Sequence, residues 1–235
     1  DSLSRRDKAT TEVGYSWRYS YNDRGELIDA YKDAWDNTAP YDRLKGTTTK
    51  YDYDHIGNRK TRQSGGDTTG NATRTVTYTT NERNQYTGLA NPLSFDVTSM
   101  TTYPQVKVNT VYADLQTKPS SSDKHFRRDV PGTTGLNAVT VQNCDAVGNP
   151  VGAAENGKTY VPPASEALSY DADGNLLNDG RWGYVWDAEN RLVEMRTATT
   201  SGIPNSTADS VRLAFSYDYM GRRIQKVVYT SYNQS

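Results

Sequence analysis

The chain has 235 residues, with 27 Lys and Arg against 28 Asp and Glu and a formal net charge of −1. That balance argues against nucleic acid and anionic lipid as partners, and no apolar run is long enough to span a bilayer. A single cysteine, Cys144, excludes an internal disulfide, and no zinc-ligand spacing surrounds it.

In chain order, one nine-residue unit recurs seven times: YSYNDRGEL (Tyr19 to Leu27), YDYDHIGNR (Tyr51 to Arg59), YTTNERNQY (Tyr78 to Tyr86), QNCDAVGNP (Gln142 to Pro150), LSYDADGNL (Leu168 to Leu176), YVWDAENRL (Tyr184 to Leu192) and FSYDYMGRR (Phe215 to Arg223). The fourth place is always Asx: Asn22, Asp54, Asn81, Asp145, Asp171, Asp187 and Asp218. The seventh is always Gly or Asn: Gly25, Gly57, Asn84, Gly148, Gly174, Asn190 and Gly221. An Asx side chain accepts hydrogen bonds from backbone N–H groups just downstream, and Gly or Asn tolerates the positive φ that closes a tight connection. Aromatic residues two apart before the turn share one face of a strand. Each copy therefore predicts strand, turn, strand, and the recurrence predicts a repeat architecture.

The stretch Gly25 to Trp35 also alternates as a strand, and its place after a turn favours strand over helix. Thr73 to Tyr78 and Val211 to Phe215 alternate with period two, as half-exposed strands do. From residue 88 the aromatics thin out, and short alternating stretches at Leu93 to Val97, Val106 to Val111 and Ala138 to Val141 predict an inserted small β domain, a sandwich of the immunoglobulin-like sort. The organisation expected is a repeat sheet over 1–87, the insert over 88–164 and a second repeat sheet over 165–235. The fourth copy belongs to the insert on this reading. The basic cluster His125-Phe126-Arg127-Arg128 reads as a solvated strand edge, with His55 and His125 both exposed.

YDYDHIGNR and the block from Tyr170 to Met195 resemble the tyrosine-aspartate (YD) repeats of the Rhs family, found in large bacterial secreted or surface proteins. Tyr170-Asp171-Ala172-Asp173-Gly174-Asn175-Leu176 and Trp186-Asp187-Ala188-Glu189-Asn190-Arg191-Leu192 carry the resemblance most strongly. It implies an all-β chain whose hairpins form a spiralling sheet, a segment of a β-shell or an open β-solenoid, and an extracellular location. It also implies a shell that in toxin-bearing members encloses a toxic domain, so the expected partner is the remainder of a larger polypeptide. The family's self-cleavage motif has no counterpart here.

Asp171 with Asp173, or Asp187 with Glu189, has the composition of an acid and base pair, but each pair sits in a turn that recurs elsewhere without it. The Asp171 to Gly174 run lacks the remaining ligands of a calcium loop. No catalytic residue, metal site or cofactor is expected, and the function expected is a non-enzymatic structural wall in which turns fix register and Tyr ladders bond neighbouring strands. Open sheet edges would then self-associate. The alternative is a carbohydrate-binding or adhesion module using the insert, with Trp182, Tyr184 and Trp186 stacking on glycans.

Overall fold

The computed structural model of the chain describes residues 5–10, 16–33, 43–118, 121–203 and 207–233. The described residues are all β apart from one 3-10 turn at Thr199–Ser201. In chain order the strands are β1 (Lys8–Thr10), β2 (Ser16–Tyr21), β3 (Leu27–Lys32), β4 (Thr48–Tyr53), β5 (Arg59–Gly65), β6 (Arg74–Thr80) and β7 (Tyr86–Ala90). There follow β8 (Ser94–Thr101), β9 (Gln105–Val108), β10 (Val111–Tyr112), β11 (Asp114–Thr117), β12 (Lys124–Pro131), β13 (Gly135–Cys144) and β14 (Glu155–Val161). The last are β15 (Ser165–Ala167), β16 (Ser169–Tyr170), β17 (Leu176–Asn178), β18 (Trp182–Trp186), β19 (Leu192–Thr197), β20 (Val211–Tyr217) and β21 (Arg223–Thr230). The alternating stretch after the first turn forms β3; Ala34 and Trp35, at its end, lie outside the described residues.

Contacts divide the chain into two units, one of residues 1–77, 94–132 and 138–159 and one of residues 78–93, 133–137 and 160–235. In the first, β1 to β6 succeed one another as antiparallel neighbours. Among the described residues, the strands from Ser94 to Val161 pair only with one another, as a four-stranded sheet β10-β9-β13-β14 and a three-stranded sheet β11-β12-β8. Val106, Val108 and Val141 from the former pack with Phe126, Val130, Phe95 and Leu115 from the latter in one apolar cluster. Two sheets sharing a core in this way make a small β-sandwich. In the second unit β7 pairs with β15, and β16 to β21 run as a six-stranded antiparallel meander.

The cluster at residues 125–128 departs from the solvated edge expected of it. β12 is the central strand of its sheet, between β11 and β8, and His125 and Phe126 are only 5% and 3% exposed. Arg127 is drawn in because carboxylates meet it: Nε lies 2.7 Å from Asp96 Oδ1, while Arg74 Nη2 lies 2.5 Å from Asp96 Oδ2 and Arg74 Nη1 3.3 Å from Asp129. Composition shows two adjacent arginines, but only the sheet register shows that Asp96 and Asp129 sit beside Arg127.

His125 Nε2 lies 2.8 Å from the Lys45 carbonyl, so the ring carries its proton there. Burial holds its pKa below 6.5, with the Lys45 carbonyl opposing and the Lys32 charge assisting. A lowered folded value means the stabilisation is complete above the unfolded pKa and is lost as pH falls below about 6.5. Chemical denaturation of the chain between pH 7.5 and 5.5 should show stability declining on acidification, and a His125→Gln variant should flatten that decline.

Candidate functional site

The seven units share one turn. In each, the fourth-place N–H donates to the eighth-place carbonyl and the seventh-place N–H donates back to the fourth-place carbonyl, as in Asp171 with Asn175 at 3.0 Å and Gly174 with Asp171 at 3.2 Å. The seventh residue is left-handed throughout, from φ 59° at Asn190 to φ 97° at Gly57, which is why only Gly and Asn stand there. The fourth-place Oδ1 accepts from the sixth-place and eighth-place N–H groups, for example from Asp173 at 3.0 Å and Asn175 at 2.8 Å.

The eighth place obeys a rule that the fourth-place and seventh-place pattern does not reveal. Where the fourth residue is Asp, the eighth is a donor: Asn58, Asn149 and Asn175 through Nδ2, Arg191 and Arg222 through Nε, at 2.8 to 3.0 Å. Where the fourth is Asn, its own Nδ2 donates and the eighth is an acceptor, Glu26 at 2.6 Å and Gln85 at 3.0 Å. The rule is visible in the sequence once fourth and eighth places are aligned side by side. Asp67-Thr68-Thr69-Gly70-Asn71 makes the same turn without an aromatic strand before it, with Asn71 Nδ2 3.0 Å from Asp67 Oδ2. Changing Asp187 to Asn would set an amide NH2 against the Arg191 guanidinium; a melting temperature lower by a few degrees is expected, recovered when Arg191→Gln restores an acceptor.

These carboxylates are spent on their own turns. Chiefly the backbone N–H of the eighth residue, with its side chain, holds Asp145, Asp187 and Asp218 below the ordinary carboxylate range, and the Asn175 side chain does the same for Asp171. Each contributes stability above a pH of about 3.8 that is lost as pH falls through its lowered value. A carboxyl held ionised in this way cannot serve as a general acid near neutrality.

Between hairpins a second contact recurs. The third-place aromatic reaches across to a backbone carbonyl of the neighbouring hairpin, and that carbonyl belongs to its ninth place. Tyr53 Oη donates to Leu27 O at 2.9 Å, Tyr170 Oη to Tyr86 O at 2.9 Å, Trp186 Nε1 to Leu176 O at 2.8 Å and Tyr217 Oη to Leu192 O at 2.7 Å. Tyr21 Oη donates in the same manner to Arg6 O at 2.7 Å. Tyr170 takes Tyr86 as its acceptor and passes over the fourth copy, whose turn follows β13 in the sandwich with Cys144 buried there.

Strand register follows the same rule. The residue two after the ninth place always faces the residue three before the next third place: Asp29 faces Lys50, Thr61 faces Thr77, Gly88 faces Ala167, Asn178 faces Gly183 and Glu194 faces Ala214. With Arg6 in the ninth-place role, Lys8 facing Arg18 makes a sixth case. The step onto Thr80 keeps the register without an aromatic tether, so backbone pairing sets register and the aromatic reinforces it. Replacing Tyr53 by Phe removes a half-buried hydrogen bond and should cost about 1 kcal/mol in urea unfolding; the same loss is expected for Tyr170→Phe and Tyr217→Phe.

The three aromatics singled out for sugar stacking are half-buried and engaged. Trp186 is a tether, Tyr184 Oη donates to Asp179 Oδ2 at 2.7 Å, and the Arg181 guanidinium lies 5.2 Å from the Trp182 ring centre. Burial, with the Asp179 hydrogen bond and charge, raises the Tyr184 pKa. In the sandwich, Met100, Tyr103, Lys118, Asp123 and Asn143 line an open cleft of about 560 Å³. Among the described residues, no cluster of three or more His, Cys, Asp or Glu is arranged to hold a metal, and no helix is long and apolar enough to cross a membrane.

Tandem hairpins with a fixed register and a recurrent cross-hairpin tether define an antiparallel β-repeat protein. No family model matches the chain. Over 63 residues, 27% of its length, it is 41% identical to the tRNA nuclease WapA of Bacillus subtilis (strain 168) and to the tRNA3(Ser)-specific nuclease WapA of Bacillus spizizenii. That stretch spans 2% of each relative. Among solved structures, the Photorhabdus luminescens Tc holotoxin pore with the mutation TccC3-D651A aligns over 96% of this chain and 10% of its own, at 14% identity and a TM-score of 0.35. TcdB2-TccC3 without its hypervariable C-terminal region aligns over 97% and 11%, at 13% identity and a TM-score of 0.36.

Proposed function

We propose that the chain is a non-enzymatic structural segment of a larger secreted or cell-surface Rhs/YD-repeat protein, where it builds a β-wall that encloses a toxin or forms part of an extracellular assembly. The observation that carries this reading is the register rule, kept at six steps between hairpins and backed by an aromatic tether at five of them. Such a device serves no chemistry; it propagates one strand spacing from hairpin to hairpin, as repeat architectures require. The nuclease relatives support a setting in a large polypeptide, since the matched stretch is a small fraction of each. No nuclease activity is proposed for this chain, because its recurrent carboxylates are committed to their turns.

The test is the mass and low-resolution shape of the intact native polypeptide containing this chain, by gel filtration with light scattering and by electron microscopy. A hollow shell is expected, with a rod or filament indicating the extracellular assembly instead. A compact particle with no extended wall would overturn the reading and favour the carbohydrate-binding alternative, for which the sandwich cleft beside Tyr103 is the place to look.

A further inference from the structure

At one end of the sandwich several polar groups are unspent. The open cleft of about 560 Å³ lies where β8 and β11 finish and β12 begins, and Asn143 reaches it from β13 of the other sheet. Lys118 and Asp123, which both line it, are joined through the backbone, Lys118 N–H donating to Asp123 O at 2.9 Å. Their side chains nevertheless form no ion pair with each other or with another described residue. Thr101 orients Asn143: its Oγ1 accepts from the Tyr103 N–H at 3.1 Å and donates to Asn143 Oδ1 at 3.0 Å. The Asn143 Nδ2 hydrogens are left over, and among the described residues nothing accepts them. Tyr103 and Met100 expose 37% and 38% of their surface beside these groups, and the Tyr103 ring and hydroxyl have no described partner. In the repeat turns, by contrast, the carboxylates and ring donors are taken up by the protein itself.

We infer that this cleft is a binding site for an uncharged pyranose saccharide. One cation and one carboxylate line it, so the site selects no net charge. The Asp123 carboxylate only accepts hydrogen bonds, while the Lys118 ammonium and the Asn143 NH2 only donate. A hydroxyl does both, so the neighbouring hydroxyls of one sugar ring answer all three groups together, donating to Asp123 and accepting from Lys118 and Asn143. The Tyr103 ring and the Met100 side chain supply the apolar surface for the C–H face of the sugar. The volume lies within the range of about 300–1,000 Å³ usual for small-molecule sites, and the open mouth admits a sugar that belongs to a longer glycan. Nothing in this depends on the wall reading; a wall segment and a free-standing module would carry the site equally.

The test titrates the whole 235-residue chain with maltotriose, cellotriose and tri-N-acetylchitotriose by calorimetry, with glycine and methionine as zwitterionic competitors. At least one trisaccharide should bind saturably. Asp123→Asn should weaken it about tenfold, the loss expected of a charge-assisted hydrogen bond, and Tyr103→Ala should abolish it. Tyr219, 94% exposed in the last repeat turn, controls for unspecific ring contact, and Tyr219→Ala should leave the affinity unchanged. If circular dichroism shows Tyr103→Ala unfolded, Asp123→Asn and Lys118→Met decide in its place. Three results would overturn the inference: no saturable binding of any trisaccharide, binding that survives the cleft substitutions at full strength, or displacement of the sugar by either amino acid. The wall reading is judged separately, on the shape of the intact polypeptide, so either can fail while the other stands.

Discussion

Replacing Asp96 with alanine is expected to destabilise the first unit by about 3 to 5 kcal/mol, the cost typical of breaking a buried ion pair from one side. The Asp96 side chain is 7% exposed and those of Arg74 and Arg127 are 11% exposed. Asp96 bridges the two guanidinium groups, one on β6 of the repeat sheet and one on β12 of the sandwich. Removing it leaves two buried cations facing each other with only the half-buried Asp129 between them. Urea unfolding followed by Trp fluorescence would measure the loss, and hydrogen exchange would show β8 and β12 losing protection together. An Asp96→Asn change should cost less, since it keeps one acceptor oxygen. A loss below about 1 kcal/mol for Asp96→Ala would mean that water already reaches the site and screens the charges.

The second large effect is expected at Gly66. Its φ is 95°, and a Cβ built on it would lie 1.9 Å from the Asn71 carbonyl oxygen and 2.7 Å from that carbonyl carbon. No real side chain occupies such a position, so Gly66→Ala must displace the Asp67 to Asn71 turn. The left-handed backbone alone costs a non-glycine residue about 1 to 3 kcal/mol, and the collision adds to that, for an expected total of about 3 kcal/mol or more. Gly152 is a matched control: it is also left-handed at φ 72°, but a Cβ there meets nothing within 4 Å, so Gly152→Ala isolates the backbone contribution. Similar losses at the two positions in parallel thermal and urea unfolding would show that the turn yields and that the contact does not matter.

Much of the repeat was legible because its chemistry is local. Asn22, Asp54 and their counterparts bond to N–H groups two and four residues downstream, within the same nine residues, so a pattern of Asx and Gly at fixed places carries the whole turn. Strand period and the sandwich stretches between Leu93 and Val141 followed from alternation and from the change in aromatic content. The eighth-place partner was equally local and was missed only because its identity varies; donor and acceptor exchange roles with the fourth place, so the constant feature is complementarity and not a residue type.

What the sequence determined by itself is the hairpin: the turn, its handedness and the aromatic face, all fixed by bonds spanning a few residues. Tertiary structure decided which hairpins are neighbours. The acceptor of each tether lies between 10 and 84 residues from its donor, and a backbone carbonyl has no sequence signature, so nothing in Tyr170 or Trp186 announces where its hydrogen bond goes. The fate of Arg127 was decided in the same way. A guanidinium is solvated or buried according to the carboxylates brought to it, and Asp96 reaches it only because β8 and β12 pair in the register that they do.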